Sequence, residues 1–86
     1  MRPYGIGVIG CGYWGPNLIR NFARHAQCSV LAVCDSRRER ADRVGREFGV
    51  PNVTQHPEAL LAVPGVDLVV VATPSFTHFD LARAAL

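Results

Sequence analysis

The sequence predicts an α/β domain built on part of a doubly wound parallel sheet, and three observations predict it. Short apolar runs alternate with stretches of helical periodicity along the 86 residues. The first run leads straight into Val8-Ile9-Gly10-Cys11-Gly12-Tyr13-Trp14-Gly15-Pro16-Asn17, which places three glycines at the spacing G-x-G-x-x-G. The second run ends on an acidic residue, Asp35.

Composition sets the bounds. A chain of 86 residues holds at most one small domain, and 49% hydrophobic with 19% charged residues is ordinary for a packed core. The basic residues are all arginine and nearly balance the acidic ones, so a net charge of +2 argues for neither nucleic acid nor a membrane surface as partner. No apolar stretch has a bilayer-spanning length, and the first residues do not read as a signal peptide, so a cytoplasmic protein is expected. Cys11, Cys28 and Cys34 are odd in number and lack C-x-x-C spacing, which reads as reduced thiols with no zinc site.

Tyr4 to Gly10 forms the first strand, nearly continuous in apolar character as a strand covered on both faces should be. A helix from about Tyr13 to His25 follows, with Leu18, Ile19, Phe22, Ala23 and Ala26 at helical spacing and Pro16 in the first turn, where its missing N–H is harmless. Val30 to Cys34 is a second buried strand. Ser36 and Glu39 fit a capping box for the next helix, whose buried stripe is Ala41, Val44 and Phe48. Five arginines between Arg37 and Arg46 fall mostly off that stripe and read as a solvated basic face. Gly49 fits a left-handed cap, and Pro51 prevents continuation.

Val50 to Thr54 supplies a short third strand, and Pro57 opens a brief helix through Ala62. Leu68 to Ala72 is the fourth strand, since three consecutive valines disfavour helix and favour the pleated sheet. A last helix is expected from near Phe76, with Leu81, Ala82 and Ala85 in register. Right-handed crossovers give the four strands the order 3-2-1-4. The fourth is then an unprotected apolar edge that something should cover. With a final helix that ends uncapped, this edge suggests the N-terminal piece of a longer polypeptide, in which residues 1–86 are an incomplete domain.

Each glycine of the motif has a separate physical task. Gly10 permits the tight turn out of the strand, Gly12 lets a pyrophosphate approach bare backbone, and Gly15 lets the helix pack closely on the sheet. The free N–H groups that open the helix, those of Tyr13 and Trp14 among them, face the phosphates, and the helix dipole favours negative charge there. Asp35 follows Gly15 by 20 residues, at the end of the second strand, where a carboxylate accepts the adenosine ribose hydroxyls and repels a 2′-phosphate. NAD is therefore expected over NADP, a preference that Arg37 and Arg38 lie close enough to soften. Cys11 sits within this loop as a small buried filler, with no base beside it to make it a nucleophile.

The strand order reverses between the first and fourth strands, and ligands bind in the crevice at such a point. Thr73 and Ser75 then lie where the pyrophosphate or nicotinamide ribose passes. His78 follows one turn on, either against the cofactor or packed with Leu81, Ala82 and Ala85. No residue is assigned a catalytic role.

With GVIGCGYWGPNLIRNF, VCDS and VVVATPSFTHFDLARAAL in view, the chain resembles the N-terminal part of the glucose-fructose oxidoreductase, inositol dehydrogenase and rhizopine-catabolism (Gfo/Idh/MocA) family over essentially its whole length. The Tyr-Trp-Gly-Pro-Asn continuation of the loop looks most like members acting on nucleotide-linked sugars, such as UDP-N-acetylglucosamine 3-dehydrogenases. The resemblance implies a Rossmann domain holding NAD or NADP and a second, mixed α/β domain. Hydride then passes to or from a sugar, nucleotide-sugar or polyol carbon, and a homo-oligomer is compatible with the full-length enzyme. It maps Gly10, Gly12 and Gly15 to the pyrophosphate, Asp35 to the adenosine ribose, and Thr73, Ser75 and His78 to the nicotinamide side. The family's Glu-Lys-Pro motif has no counterpart, because the chain contains no lysine. These residues alone are then expected to be inactive, and a sensing module or a remnant domain acting through its edge strand stands as the alternative.

Overall fold

The computed structural model describes residues 3–12, 15–72 and 77–81. β1 (Tyr4–Ile9), β2 (Cys28–Cys34), β3 (Asn52–Thr54), β4 (Val66–Ala72) and β5 (Thr77–Leu81) form one sheet in the order β3-β2-β1-β4-β5. The first four strands are parallel to their neighbours, and β5 runs antiparallel to β4. α1 (Gly15–Arg24), α2 (Arg38–Phe48) and α3 (Pro57–Leu61) supply the parallel crossovers. This is the expected doubly wound arrangement, with the strand order 3-2-1-4 at its centre.

The helices divide between the two faces of the sheet because alternate residues of each strand face opposite ways. Ile6 and Val8 of β1, Val33 and Val70 join Ile19 of α1 and Val44 of α2 in one core cluster. Ala32, Cys34, Val66 and Val69 form the other cluster with Leu60 of α3. Gly7 points to this second face, where a Cβ would meet Leu60 Cδ2 at 2.7 Å, so the five-residue α3 rests almost on the backbone of β1. Gly49 closes α2 at φ 66° and ψ 36°, the expected left-handed cap.

Three local expectations are corrected. The segment expected to open the last helix is instead β5, with Val71 opposite His78 and Ala72 opposite Thr77. Leu81 lies in that strand, while Phe76, Ala82 and Ala85 lie outside the described residues. The reason is the exposed ladder of β4: its unpaired N–H and C=O groups are satisfied by a returning strand, and this tertiary pairing outweighs the local helical spacing. β4 is accordingly an inner strand rather than the edge. The second correction concerns the start of α2, where Arg37 occupies the cap position without any side-chain capping bond, so the Ser36 and Glu39 box does not form. Asp35 takes over part of that task, as its Oδ1 accepts the Arg37 N–H at 2.8 Å. Thirdly, β3 starts at Asn52 rather than Val50, whose side chain is drawn into the core instead.

Candidate functional site

The carboxyl ends of β1 and β2 open into a cleft of about 610 Å³ lined by Gly10, Gly12, Asp35, Arg40, Gln55 and Pro57, among others. Its position follows from the chain path. β1 ends at Ile9, the chain turns sharply at Gly10 with φ 98°, and α1 begins at Gly15. A Cβ on Gly10 would overlap the carbonyl oxygen of Ala72, and one on Gly15 would overlap that of Gly10, so the turn is drawn tight against both β4 and the first turn of α1. Gly12 differs from both. It is exposed, its φ lies outside the left-handed region, and the nearest atoms a Cβ would meet there all belong to the Arg40 side chain.

Asp35 is the buried charged residue of the site, at 6% exposure. Its Oδ2 accepts the backbone N–H of Cys11 at 2.7 Å, and its Oδ1 accepts that of Arg37. The Gly10 N–H donates to the Cys34 carbonyl at 2.7 Å, so two successive loop amides bond to two successive residues at the end of β2. The Gln55 side chain donates to the Ser36 carbonyl at 3.0 Å and ties the wall after β3 to the turn after β2.

Cys11 is fully buried beside this turn, and its thiol donates to the Cys34 carbonyl at 3.6 Å. Burial first, and then the Asp35 charge, push its pKa up to about 12, so the thiol stays protonated and unreactive. Burial likewise raises that of Cys34.

Gly10, Gly12 and Asp35 thus meet in one cleft, with Cys11 behind it and Gly15 at the head of α1. Tyr13, Trp14, Thr73 and Ser75 lie outside the described residues, and His78 stands on β5 rather than on a helix. Arg40 is the residue that sequence reasoning missed, having been grouped with a solvated basic face. It is half-buried, lines the cleft against Gly12, and its side chain makes no hydrogen bond or ion pair among the described residues. The available signal was its place on α2, which starts beside Asp35: its N–H bonds back to the Arg37 carbonyl in the first turn, next to the cleft. The described residues contain no group of three or more potential metal ligands, and no helix among them is long and apolar enough to cross a membrane.

Residues 4–86 match the family model GFO_IDH_MocA, described as an oxidoreductase family with an NAD-binding Rossmann fold. The chain is 38% identical over 84 residues to inositol 2-dehydrogenase 1 of Saccharopolyspora erythraea, covering 94% of this chain and 25% of that protein. It is 32% identical over 77 residues to the scyllo-inositol 2-dehydrogenase (NAD(+)) of Bacillus subtilis, covering 90% and 21%. Among solved structures, a variant of a 3-ketoreductase from Actinomadura kijaniata in complex with TDP-benzene and NADP superposes with a TM-score of 0.77 at 30% identity, covering 85% of this chain and 23% of that one. The chain therefore spans about a fifth to a quarter of the length of these relatives.

Proposed function

This chain belongs to the GFO_IDH_MocA oxidoreductase family, with its NAD-binding Rossmann fold, and on that premise we propose that the cleft beside Gly12 and Asp35 holds the adenosine diphosphate part of NAD. The observation that carries the reading is the convergence on one cleft of bare backbone at Gly12, a buried carboxylate at Asp35 and the guanidinium of Arg40, which has no hydrogen-bond or ion-pair partner among the described residues. The residues fit the group. A Cβ at Gly12 would occupy the space where a phosphate approaches the loop, and α1 begins just beyond it. An ionised carboxylate has about four acceptor positions, of which two are used by Cys11 and Arg37, leaving capacity for two ribose hydroxyls. Arg40 supplies the positive charge that a pyrophosphate requires.

Tyr13, Trp14 and Gly15 complete the pyrophosphate side of the proposal, and Thr73, Ser75 and His78 its nicotinamide side. A bound nicotinamide supplies the hydride acceptor or donor of a dehydrogenase. The residues of this chain bind and orient that group, while the proton of the reacting hydroxyl needs an acid or base from elsewhere in the protein. Residues 1–86 accordingly act as the cofactor-binding part of an enzyme on a sugar, nucleotide-sugar or polyol hydroxyl. The names of the inositol dehydrogenases and the ketoreductase support that substrate class. The three free thiols suit a reducing compartment such as the cytoplasm.

The test is titration of the chain with NAD and with NADP, followed by calorimetry and by the fluorescence of its one tryptophan, Trp14. Saturable binding, tighter for NAD, is expected. No binding of either dinucleotide would end this reading.

A further inference from the structure

We infer that Asp35 is a positioning residue for the glycine loop: through the Cys11 N–H its carboxylate holds the loop in the form that receives phosphate, and so couples recognition of the ribose to recognition of the pyrophosphate. The inference rests on the dinucleotide reading above and adds a second task to a residue assigned there only to the ribose.

The loop needs an external hold. Glycine-rich backbone loses more conformational freedom on ordering than any other, and an untethered G-x-G segment spreads over many conformers, few of which align its amides. Gly10 is already bonded to the Cys34 carbonyl as part of the strand end. Beyond it, the bond from Cys11 N–H to Asp35 Oδ2 is buried, spans 24 residues of sequence, and measures 2.7 Å. Among the described residues no other side chain accepts a hydrogen bond from the backbone of residues 10–12. The opposite oxygen of the same carboxylate is anchored by Arg37 N–H at the start of α2, so the hold is itself fixed at both ends. A short, buried bond to a charged acceptor is stronger than an ordinary one, and losing it leaves the Cys11 N–H without a partner.

Charge alone predicts the reverse behaviour. A carboxylate lining an anion-binding cleft repels phosphate, so removing it should tighten the binding of any ligand that has phosphates and no ribose. If Asp35 also holds the loop, its removal weakens that same ligand. The two roles therefore differ in sign.

The experiment uses the full chain and two ligands, inorganic pyrophosphate and NAD, each titrated while the Gly12 amide resonance is followed. This readout separates the loop from the exposed arginines of α2. In Asp35→Ala, pyrophosphate affinity is expected to fall about tenfold, the equivalent of one hydrogen bond to a charged group. Unchanged or tighter pyrophosphate binding, alongside weakened NAD binding, would overturn the positioning role and leave the ribose role standing. Should NAD fail to move the Gly12 resonance of the unmodified chain, the dinucleotide reading falls and this inference with it. A second measurement needs no variant: in the unliganded chain the Cys11 amide should exchange with solvent as slowly as the strand-end amide of Gly10. Exchange at the rate of an open loop would refute the hold directly.

Discussion

The backbone of Gly10 lies against the carbonyl oxygen of Ala72, so closely that a Cβ at Gly10 would overlap it. This contact joins the ends of two adjacent inner strands, β1 and β4, at the mouth of the cleft. Gly10 also has φ 98°, where a side chain is strained whatever space it has. Gly10→Ala is expected to lower the unfolding free energy by roughly 3 kcal/mol, from the combined overlap and backbone strain. Urea denaturation measures it, and a loss below about 1 kcal/mol would mean that this close approach does not hold.

Gly12 should separate stability from binding. The atoms nearest to a Cβ there belong to the flexible Arg40 side chain, which can move aside. Gly12→Val is expected to change stability by about 1 kcal/mol or less, as for other exposed positions. It should nevertheless weaken NAD by more than about tenfold, because the side chain fills the space a phosphate would take. Wild-type affinity in this variant would remove the loop from the binding site.

Arg40→Ala tests the cation at the cleft. Losing one charge-assisted hydrogen bond to a phosphate should weaken NAD by about tenfold, and the difference from the unmodified chain should shrink as salt is raised. Arg43→Ala, on the exposed part of the same helix, serves as the control. Equal effects from the two substitutions would return Arg40 to a general basic face.

The choice between NAD and NADP is read as a ratio. In Asp35→Ala any loosening of the loop affects both dinucleotides alike, whereas loss of the carboxylate removes a ribose acceptor from NAD and a repulsion from NADP. The ratio of NADP to NAD affinity is expected to rise at least about tenfold, which competition calorimetry can follow. A constant ratio would show that Asp35 does not set the preference.

The buried thiol of Cys11 makes stability fall in alkali. Below pH 9 the thiol is protonated in both folded and unfolded chains, while between 9 and about 12 only the unfolded chain releases the proton, so stability declines as pH rises through that window. Cys34, also raised by burial, adds in the same direction. Comparing the unfolding free energy at pH 7 and pH 10 should show a smaller decline in Cys11→Ala than in the unmodified chain. Identical declines would contradict the protonated, buried state.

Much of this was legible in the residues themselves. Apolar runs such as Val30 to Cys34 and Leu68 to Ala72 announced strands. Gly10, Gly12 and Gly15 announced a loop between a strand and a helix, and Gly49 announced a helix end, because backbone conformation and side-chain size are properties of one residue and its neighbours. The strand order followed from crossover handedness, which is equally local in origin.

Tertiary structure decided the rest. Whether residues 77–81 continue a helix or pair with β4 depends on what lies beside them, and the open ladder of β4 made them a strand. Ser36 had the chemistry of a helix cap, but Asp35 reached the Arg37 N–H, and its other oxygen reached Cys11, 24 residues away in sequence. Arg40 looked like one more arginine on a solvated helix until the fold brought its guanidinium to Gly12. Sequence alone determined which residues could form the loop and its acidic partner. Only the packed sheet determined which N–H met which carboxylate oxygen, since hydrogen bonds and charge contacts act over a few ångströms and chain connectivity does not encode that distance.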